Sequence, residues 1–147
     1  MKVYLDACCL SRLTDDQSQT RIHEEAEAVE RVLALVRLGR VDLISSEALE
    51  DEVRRAPTPE RRLEAEALLS LASTTAEIDD ATAQRARDLA AFGYGLFDAL
   101  HLAAAESAGA EVLLSTDDRF LSRAGRGLGS RRIPVPNPVS WIKEQGL

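Results

Sequence analysis

Short apolar segments alternate along this chain with longer segments of helical periodicity, and this alternation constrains its fold most. Strands are predicted at residues 3–5, 41–44, 74–78 and 112–114, with a last one near 133–135. After the first strand, apolar residues from Ile22 to Val36 step by four and three, which indicates one face of a long helix. Strands that alternate with helices pair in parallel. The sequence therefore predicts an α/β fold, a three-layer α/β/α sandwich with a central, mostly parallel sheet.

Two helices are predicted after the second strand. Pro57 ends the first of them, and the second begins at Thr58-Pro59, with proline at the first helical position. Leu63, Ala67 and Leu71 are expected to form the apolar side of this second helix. Later helices are predicted at about 80–91, at 97–107 and after the Asn137-Pro138 cap.

Length and hydropathy indicate one soluble globular domain. The chain has 147 residues, of which 45% are hydrophobic and 29% are charged, so we expect a single domain over residues 1–147. No segment approaches the roughly 20 apolar residues that span a bilayer, and the N-terminal apolar run is too short for a secretory signal. These observations predict a cytoplasmic protein without membrane contact.

Cysteine content and charge exclude several classes of protein. The only cysteines, Cys8 and Cys9, are adjacent, so they make a poor disulfide pair and only half of a four-ligand zinc site. The net charge of −7 argues against strong electrostatic binding to nucleic acid. It does not exclude a nucleic-acid enzyme, because a metal-binding cluster of acids adds to the negative count.

Acidic residues follow three of the predicted strands. Asp6 and Asp117 come shortly after the first and fourth strands, and Glu52 lies on the helix after the second. Asp98 precedes the very apolar run 99–105, whose helix we expect to be buried. The carboxyl ends of parallel strands meet at one crevice, where ligands usually bind. We therefore expect the four carboxylates to meet there.

Each of these acids also has a local explanation. Asp6 can cap a helix, Asp98 can lie in the first turn of its helix, and Asp117 can close a turn. Glu52 can be a solvated helix residue. Together, however, gathered carboxylates repel one another and take up protons unless a cation lies between them. The joint pattern predicts a hard divalent metal site in a small hydrolase.

The segments that carry these acids resemble a known family. They are Val3-Tyr4-Leu5-Asp6-Ala7-Cys8, Ile44-Ser45-Ser46 through Glu52, Phe97-Asp98-Ala99-Leu100-His101-Leu102-Ala103, and Leu114-Ser115-Thr116-Asp117. In order and spacing they resemble the PIN-domain ribonucleases, whose bacterial members include the VapC toxins of VapBC toxin–antitoxin pairs. The family commonly has serine, threonine or asparagine two residues after its first aspartate, where this chain has Cys8, a weaker hydrogen-bond partner.

This resemblance implies a PIN-like fold and a metal-dependent endoribonuclease that acts on RNA. Asp6, Asp98 and Asp117 would hold one or two Mg²⁺ or Mn²⁺ ions, and Glu52 would complete the catalytic site. In-line attack would leave a 5′-phosphate and a 3′-hydroxyl. The resemblance also implies a homodimer and an antitoxin partner, for which the helix pair over 54–71, basic and then apolar, offers a docking groove.

Several assignments around the site stay open at this point. Glu52 is chosen over Glu47 and Glu50 by its offset from the second strand. Arg21 is a candidate substrate-binding residue that would contact phosphate or a site carboxylate. His101 lies three residues beyond the third acid, and we expect core packing or a hydrogen bond for it, because metal-water chemistry needs no histidine.

Other functions fit the sequence less well. A haloacid-dehalogenase phosphatase has a second acid where Cys8 stands. A receiver domain needs a lysine after a late strand, yet no lysine lies between Lys2 and Lys143. The remaining alternative is a PIN-like domain that is catalytically weak or inactive and acts as a protein-interaction module.

Overall fold

A four-stranded sheet lies at the centre of the computed structural model, which describes residues 1–146. Its strands are β1 (Lys2–Leu5), β2 (Asp42–Ser46), β3 (Thr74–Ala76) and β4 (Val112–Leu114). The strand order is β3-β2-β1-β4, and every neighbouring pair is parallel. Leu5 pairs with Leu114, so β1 and β4 end level with each other. The predicted parallel sheet is confirmed.

Helices fill the connections between the strands. Within the described residues they are α1 (Ala7–Ser11), α2 (Thr20–Arg37), α3 (Glu47–Arg54), α4 (Pro59–Leu69), α5 (Asp80–Ala91), α6 (Leu96–Ser107), α7 (Asp118–Gly125) and α8 (Pro138–Glu144), with a 3-10 turn at Leu128–Ser130. No helix in residues 1–146 combines the length and the apolar character needed to cross a membrane.

The helices form a layer on each face of the sheet. The connection from β1 to β2 crosses the sheet in the opposite direction to the connection from β3 to β4. Because such crossovers are right-handed, α2 lies on one face, and α5 and α6 lie on the other. α2 packs against α8, and α5 packs against α6. The predicted α/β/α sandwich is confirmed.

After Lys2, the first strand is fully buried, as expected for a parallel strand covered on both faces. Val3, Tyr4 and Leu5 are each 0% exposed. Side chains alternate along a strand, so Tyr4 points to the face opposite its two neighbours. This places a phenol hydroxyl inside the core, where it needs hydrogen-bond partners.

The predicted strand near 133–135 is wrong as a regular strand. This segment runs beside β4 and only accepts hydrogen bonds from it, from Leu113 N–H to Pro134 O and from Ser115 N–H to Pro136 O, both at 3.1 Å. A proline has no N–H to donate, so the segment cannot return these bonds and form a ladder.

The predicted apolar side of α4 is also wrong. Leu63 is 63% exposed, whereas Leu68 and Leu69 are buried. Turning these two adjacent leucines toward the core removes more apolar surface from water than turning Leu63 and Ala67 would. Helical spacing alone did not distinguish the two sides.

Leu113 on β4 supplies a test of this packing. It is fully buried, so we expect Leu113→Ala to lower the free energy of unfolding by about 2–5 kcal/mol, through lost burial and the cavity that remains. The exposed Leu63 is the matched control, and Leu63→Ala should change stability by less than about 0.5 kcal/mol. Urea denaturation measures both values, and equal losses would contradict the described packing.

Candidate active site

Asp6 and Asp117 lie at the same edge of the sheet. Asp6 directly follows β1, and its N–H donates to Leu114 O, at the end of β4, at 3.2 Å. Its carboxylate accepts from Cys9 N–H at 3.0 Å and caps α1. Asp117 caps α7 by accepting from Arg119 N–H at 2.9 Å. Both acids are therefore helix caps, and the level strand ends bring these caps together.

Asp6 is almost completely buried, with 2% exposure. Burial raises the pKa of its carboxyl above the ordinary value, and a hydrogen bond from Ser115 and the nearby His101 oppose that shift. A carboxylate in this position is costly in free energy unless positive charge reaches it.

Asp98 lies in the first turn of α6 and faces the same space. Burial raises the pKa of its carboxyl to about 6, and the carboxylates of Asp117 and Asp6 contribute to the increase. Such mutual repulsion requires the three groups to be close. The structure thus brings together the three acids that were predicted to bind metal.

Cys8 lies among all four predicted acids. Its side chain is partly buried, and burial raises the pKa of the thiol. Nearby carboxylates raise it further, those of Asp6, Asp117, Glu52 and Asp98. The thiol is therefore held in its neutral form beside the acidic cluster. Cys8 and Cys9 are both free, as their adjacency predicted.

Among the glutamates of α3, the structure brings Glu52 to the site. Its Oε1 lies 3.3 Å from Nε2 of His101. Glu47 instead accepts a hydrogen bond from Ile78 N–H at 3.1 Å, and Glu50 lies beside Leu69 of α4. Glu52 lies five residues after Glu47 and two after Glu50, so the three side chains leave α3 in different directions.

His101 is buried and hydrogen-bonded, which confirms the expectation from sequence. It is 1% exposed, and its Nδ1 lies 2.7 Å from the Tyr4 hydroxyl. The same hydroxyl lies 2.7 Å from Ser46 Oγ, which caps α3 by accepting from Leu49 N–H at 3.0 Å. Tyr4 was not among the predicted site residues. Its one signal in the sequence is a phenol in an otherwise aliphatic strand, two residues before Asp6.

Arg21 lies at the margin of the acidic cluster. Its guanidinium binds both carboxylate oxygens of Asp118 at 2.9 and 2.8 Å, and donates to Thr116 O at 3.2 Å. This pairing lowers the pKa of Asp118. Arg21 therefore reaches the loop that carries Asp117. Its predicted contact with substrate stays a prediction.

The four site acids suit a hard divalent cation by their chemistry. Within residues 1–146, Asp6, Asp98 and Asp117 form no ion pair with arginine or lysine, and Glu52 contacts only a histidine. In the same residues, no group of three or more His, Cys, Asp or Glu side chains is so arranged that it could hold a metal ion without moving. Mg²⁺ binds carboxylate oxygen and keeps several waters, so an oxygen-rich, cation-poor cluster fits it.

A groove of about 300 Å³ opens beside Glu52. It lies between α1, α3, α4 and the start of α6, and its wall is mostly apolar with two arginines. Its lining includes Ala7, Leu10, Glu52, Val53, Arg55, Pro57, Arg61, Ala65 and Phe97. A molecule bound in this groove would lie directly beside the acidic cluster.

The family model for the PIN domain matches residues 3–126. The chain belongs to the PIN domain family. The match includes all four site acids, from Asp6 to Asp117. No curated protein sequence matches this PIN domain.

Solved structures share the fold of this PIN domain at low sequence identity. A chain of VapBC2 from Rickettsia felis, bound to a DNA fragment from its promoter, is 11% identical with a TM-score of 0.61, covering 93% of this chain and 98% of that chain. A chain of VapBC-1 from nontypeable Haemophilus influenzae is 17% identical with a TM-score of 0.61, covering 94% and 98%. The Mycobacterium tuberculosis toxin VapC20, which cleaves the sarcin-ricin loop, is 14% identical with a TM-score of 0.59, covering 86% and 95%.

Repulsion within the cluster predicts a pH-dependent effect of Asp98→Asn on stability. The folded-state pKa of Asp98 is raised from 3.8 to about 6, so the folded protein holds this proton more tightly than the unfolded chain does. Wild-type stability is therefore lost as pH rises through this interval, and the full penalty is present above it. With EDTA present, we expect Asp98→Asn to raise the free energy of unfolding by about 1–2 kcal/mol near pH 8.

The same gain should disappear below about pH 4, where both states of the wild type are protonated. Urea denaturation at several pH values measures it. Asp42→Asn, at the exposed start of β2, is the matched control and should show no such trend. A pH-independent gain for Asp98→Asn would contradict the described repulsion.

Proposed function

We propose that this PIN domain is a metal-dependent endoribonuclease that hydrolyses phosphodiester bonds. The observation that carries the proposal is the gathering of Asp6, Asp98 and Asp117 at one end of the sheet without an arginine or lysine partner in the described residues. A cluster that destabilises the metal-free protein supports a role that requires it to bind a cation.

Each acid has a distinct part in this proposal. Asp6, Asp98 and Asp117 would hold Mg²⁺ or Mn²⁺, and Glu52 faces them from α3. A divalent ion supplies the positive charge that stabilises a phosphodiester under attack and makes water a better nucleophile. Asp6 and Asp117 are fixed by their capping bonds, so their carboxylates are oriented before substrate arrives.

RNA is the proposed substrate. Membership of the PIN family and the shared fold with VapC20, a toxin that cleaves the sarcin-ricin loop, support it. Phosphate contacts carry no information on the base. Cleavage assays should therefore compare single-stranded RNA and DNA of the same sequence.

Loss of one carboxylate tests the nuclease directly. With Mn²⁺ and a generic RNA, we expect Asp98→Asn to lower kcat by at least about 100-fold, because charge on the reacting phosphate loses its main stabilisation. Asp42→Asn, away from the cluster, should cleave like the wild type. EDTA should abolish cleavage by the wild type, and added Mn²⁺ should restore it.

The alternative is a PIN-like domain that acts only through protein contacts. It predicts neither Mn²⁺ binding nor RNA cleavage. Isothermal titration calorimetry with Mn²⁺ separates the two functions. Absence of a heat of binding in the wild type would reject the nuclease and favour the interaction module.

We propose further that the protein is the toxin of a type II toxin–antitoxin pair and forms a homodimer. Shared fold with two chains from VapBC complexes supports an antitoxin partner. The groove beside Glu52 suits a peptide with apolar side chains, since Leu10, Val53 and Pro57 line it. A partner bound there would cover the acidic cluster and keep RNA away from it.

A charge in the groove tests this docking site. We expect the antitoxin to be encoded by a small reading frame beside this one. Ala65→Glu places a longer, charged side chain on the apolar wall and should lower the affinity for that product by at least about tenfold, because an apolar peptide would have to displace this side chain and remove water from its carboxylate. Ala91→Glu, at the exposed end of α5, is the matched control. Calorimetry measures the affinity of both variants. If both bind the antitoxin as tightly as the wild type does, the proposed docking site is contradicted.

A further inference from the structure

We propose that His101 is a positioning residue that holds the Glu52 carboxylate at the acidic cluster, and that Tyr4 and Ser46 hold His101 in turn. This inference rests on the proposed nuclease function and assigns roles to three residues outside the predicted ligand set. It starts from four consecutive hydrogen bonds that begin and end on α3.

The chemistry of the groups gives these hydrogen bonds one consistent direction. An ionised carboxylate only accepts, so Nε2 of His101 carries the hydrogen and donates to Glu52. In a neutral imidazole the other nitrogen then accepts, so the Tyr4 hydroxyl donates to Nδ1. The Tyr4 oxygen is free to accept from the Ser46 hydroxyl, and Ser46 accepts from Leu49 N–H. Every hydrogen of this set has an acceptor.

Packing holds the His101 ring in one orientation. The ring stacks on Phe97 with centroids 6.3 Å apart and planes 28° apart, and it lies at 5.6 Å from the Tyr4 ring. His101 is 1% exposed, and rotation of its ring would break the buried hydrogen bond to Tyr4 and the partly buried one to Glu52. The Nε2–H therefore points in a fixed direction.

Glu52 gains most from such a fixed donor. Its side chain is long and 27% exposed, and His101 is its one ion-pair partner among residues 1–146. Without the imidazole, the carboxylate would move among several rotamers under repulsion from the other acids. A hydrogen-bond donor that fixes one rotamer of a site carboxylate improves the geometry of the reacting groups.

The hydrogen-bonded set also links the elements that carry the acids. Ser46 ends β2 and caps α3, Glu52 lies near the other end of α3, Tyr4 belongs to β1, and His101 follows Asp98 by one turn of α6. The same contacts therefore set the position of α3 relative to both Asp98 and the end of β1. A purely structural hydrogen bond would not need to end on a site carboxylate.

Single substitutions give the first test. We expect His101→Leu to lower kcat on RNA by about 10- to 100-fold and to change KM by less than about twofold, because substrate contacts remain. His101→Gln keeps a donor for Glu52 and should lose less than about fivefold. Tyr4→Phe removes the hydroxyl and should lower kcat by about three- to tenfold.

Matched controls keep this test specific. Tyr94 is also buried, but its hydroxyl donates to Leu128 O at 2.9 Å, away from Glu52, so Tyr94→Phe should leave kcat unchanged. His23 is exposed on α2, and His23→Gln should also have no effect. Thermal unfolding of each variant shows which of them retain the fold.

A double-mutant cycle gives the decisive test. If His101 acts through Glu52, then His101→Leu should lower kcat by less than about twofold in a Glu52→Gln background. Tyr4→Phe should likewise have almost no effect in that background. Full and independent losses in the double variants would overturn the proposal, since a merely structural role would add to the loss caused by Glu52→Gln.

A spectroscopic readout separates this inference from the nuclease proposal. In the metal-free protein, nitrogen-15 NMR of His101 should show a hydrogen on Nε2. Glu52→Gln should shift that resonance, and Glu50→Gln, on the same helix, should leave it in place. An unchanged resonance in Glu52→Gln would overturn the positioning role. If the wild type shows this NMR pattern but does not cleave RNA, only the proposed nuclease function is rejected.

Discussion

The register of β1 against β4 is the constraint on which the site depends. Because Leu5 pairs with Leu114, the two strands end at the same level, and the residues that follow them share one space. Because β1 and β4 are parallel, the chain leaves both strands in the same direction. The acids that follow these strands are therefore held near each other by backbone hydrogen bonds rather than by any attraction between their side chains.

Helix capping explains how the fold tolerates this arrangement. Asp6 and Asp117 each accept backbone N–H bonds at the start of a helix, which satisfies part of the hydrogen-bonding capacity of each carboxylate. Asp98 lies in the first turn of α6 but is not its N-cap, and burial together with the neighbouring carboxylates raises the pKa of Asp98 to about 6. Asp6 and Asp117 therefore cap helices and also belong to the acidic site. The unrelieved repulsion at Asp98 is what a bound cation would remove.

The hydrogen bonds of Ser46, Tyr4 and His101 are a second interaction that positions the residues of the site. Strand register positions Asp6 and Asp117, which follow β1 and β4, but it has no direct effect on Glu52, which lies on a helix. The buried phenol and imidazole connect α3 to β1 and α6. Buried polar groups that are fully paired in this way specify one arrangement of the elements around them.

Local patterns predicted the layers of the fold well and its edges poorly. The strand and helix alternation held, and so did the apolar face of α2, because period and length are properties of neighbouring residues. The segment near 133–135 has apolar residues of strand type, but its prolines prevent a ladder. On α4, two candidate apolar sides had similar spacing, and packing against the rest of the core decided between them.

The sequence by itself determined which residues are acids, on which strand or helix each lies, and hence that Asp6, Asp98 and Asp117 would share one end of the sheet. Its offset from the second strand favoured Glu52 among the glutamates of α3, but only the tertiary structure showed that Glu52 reaches His101 and that Tyr4 and His101 meet. The reason is physical. Periodicity reports contacts within one element, whereas a side chain's partner on another element depends on how the two elements pack.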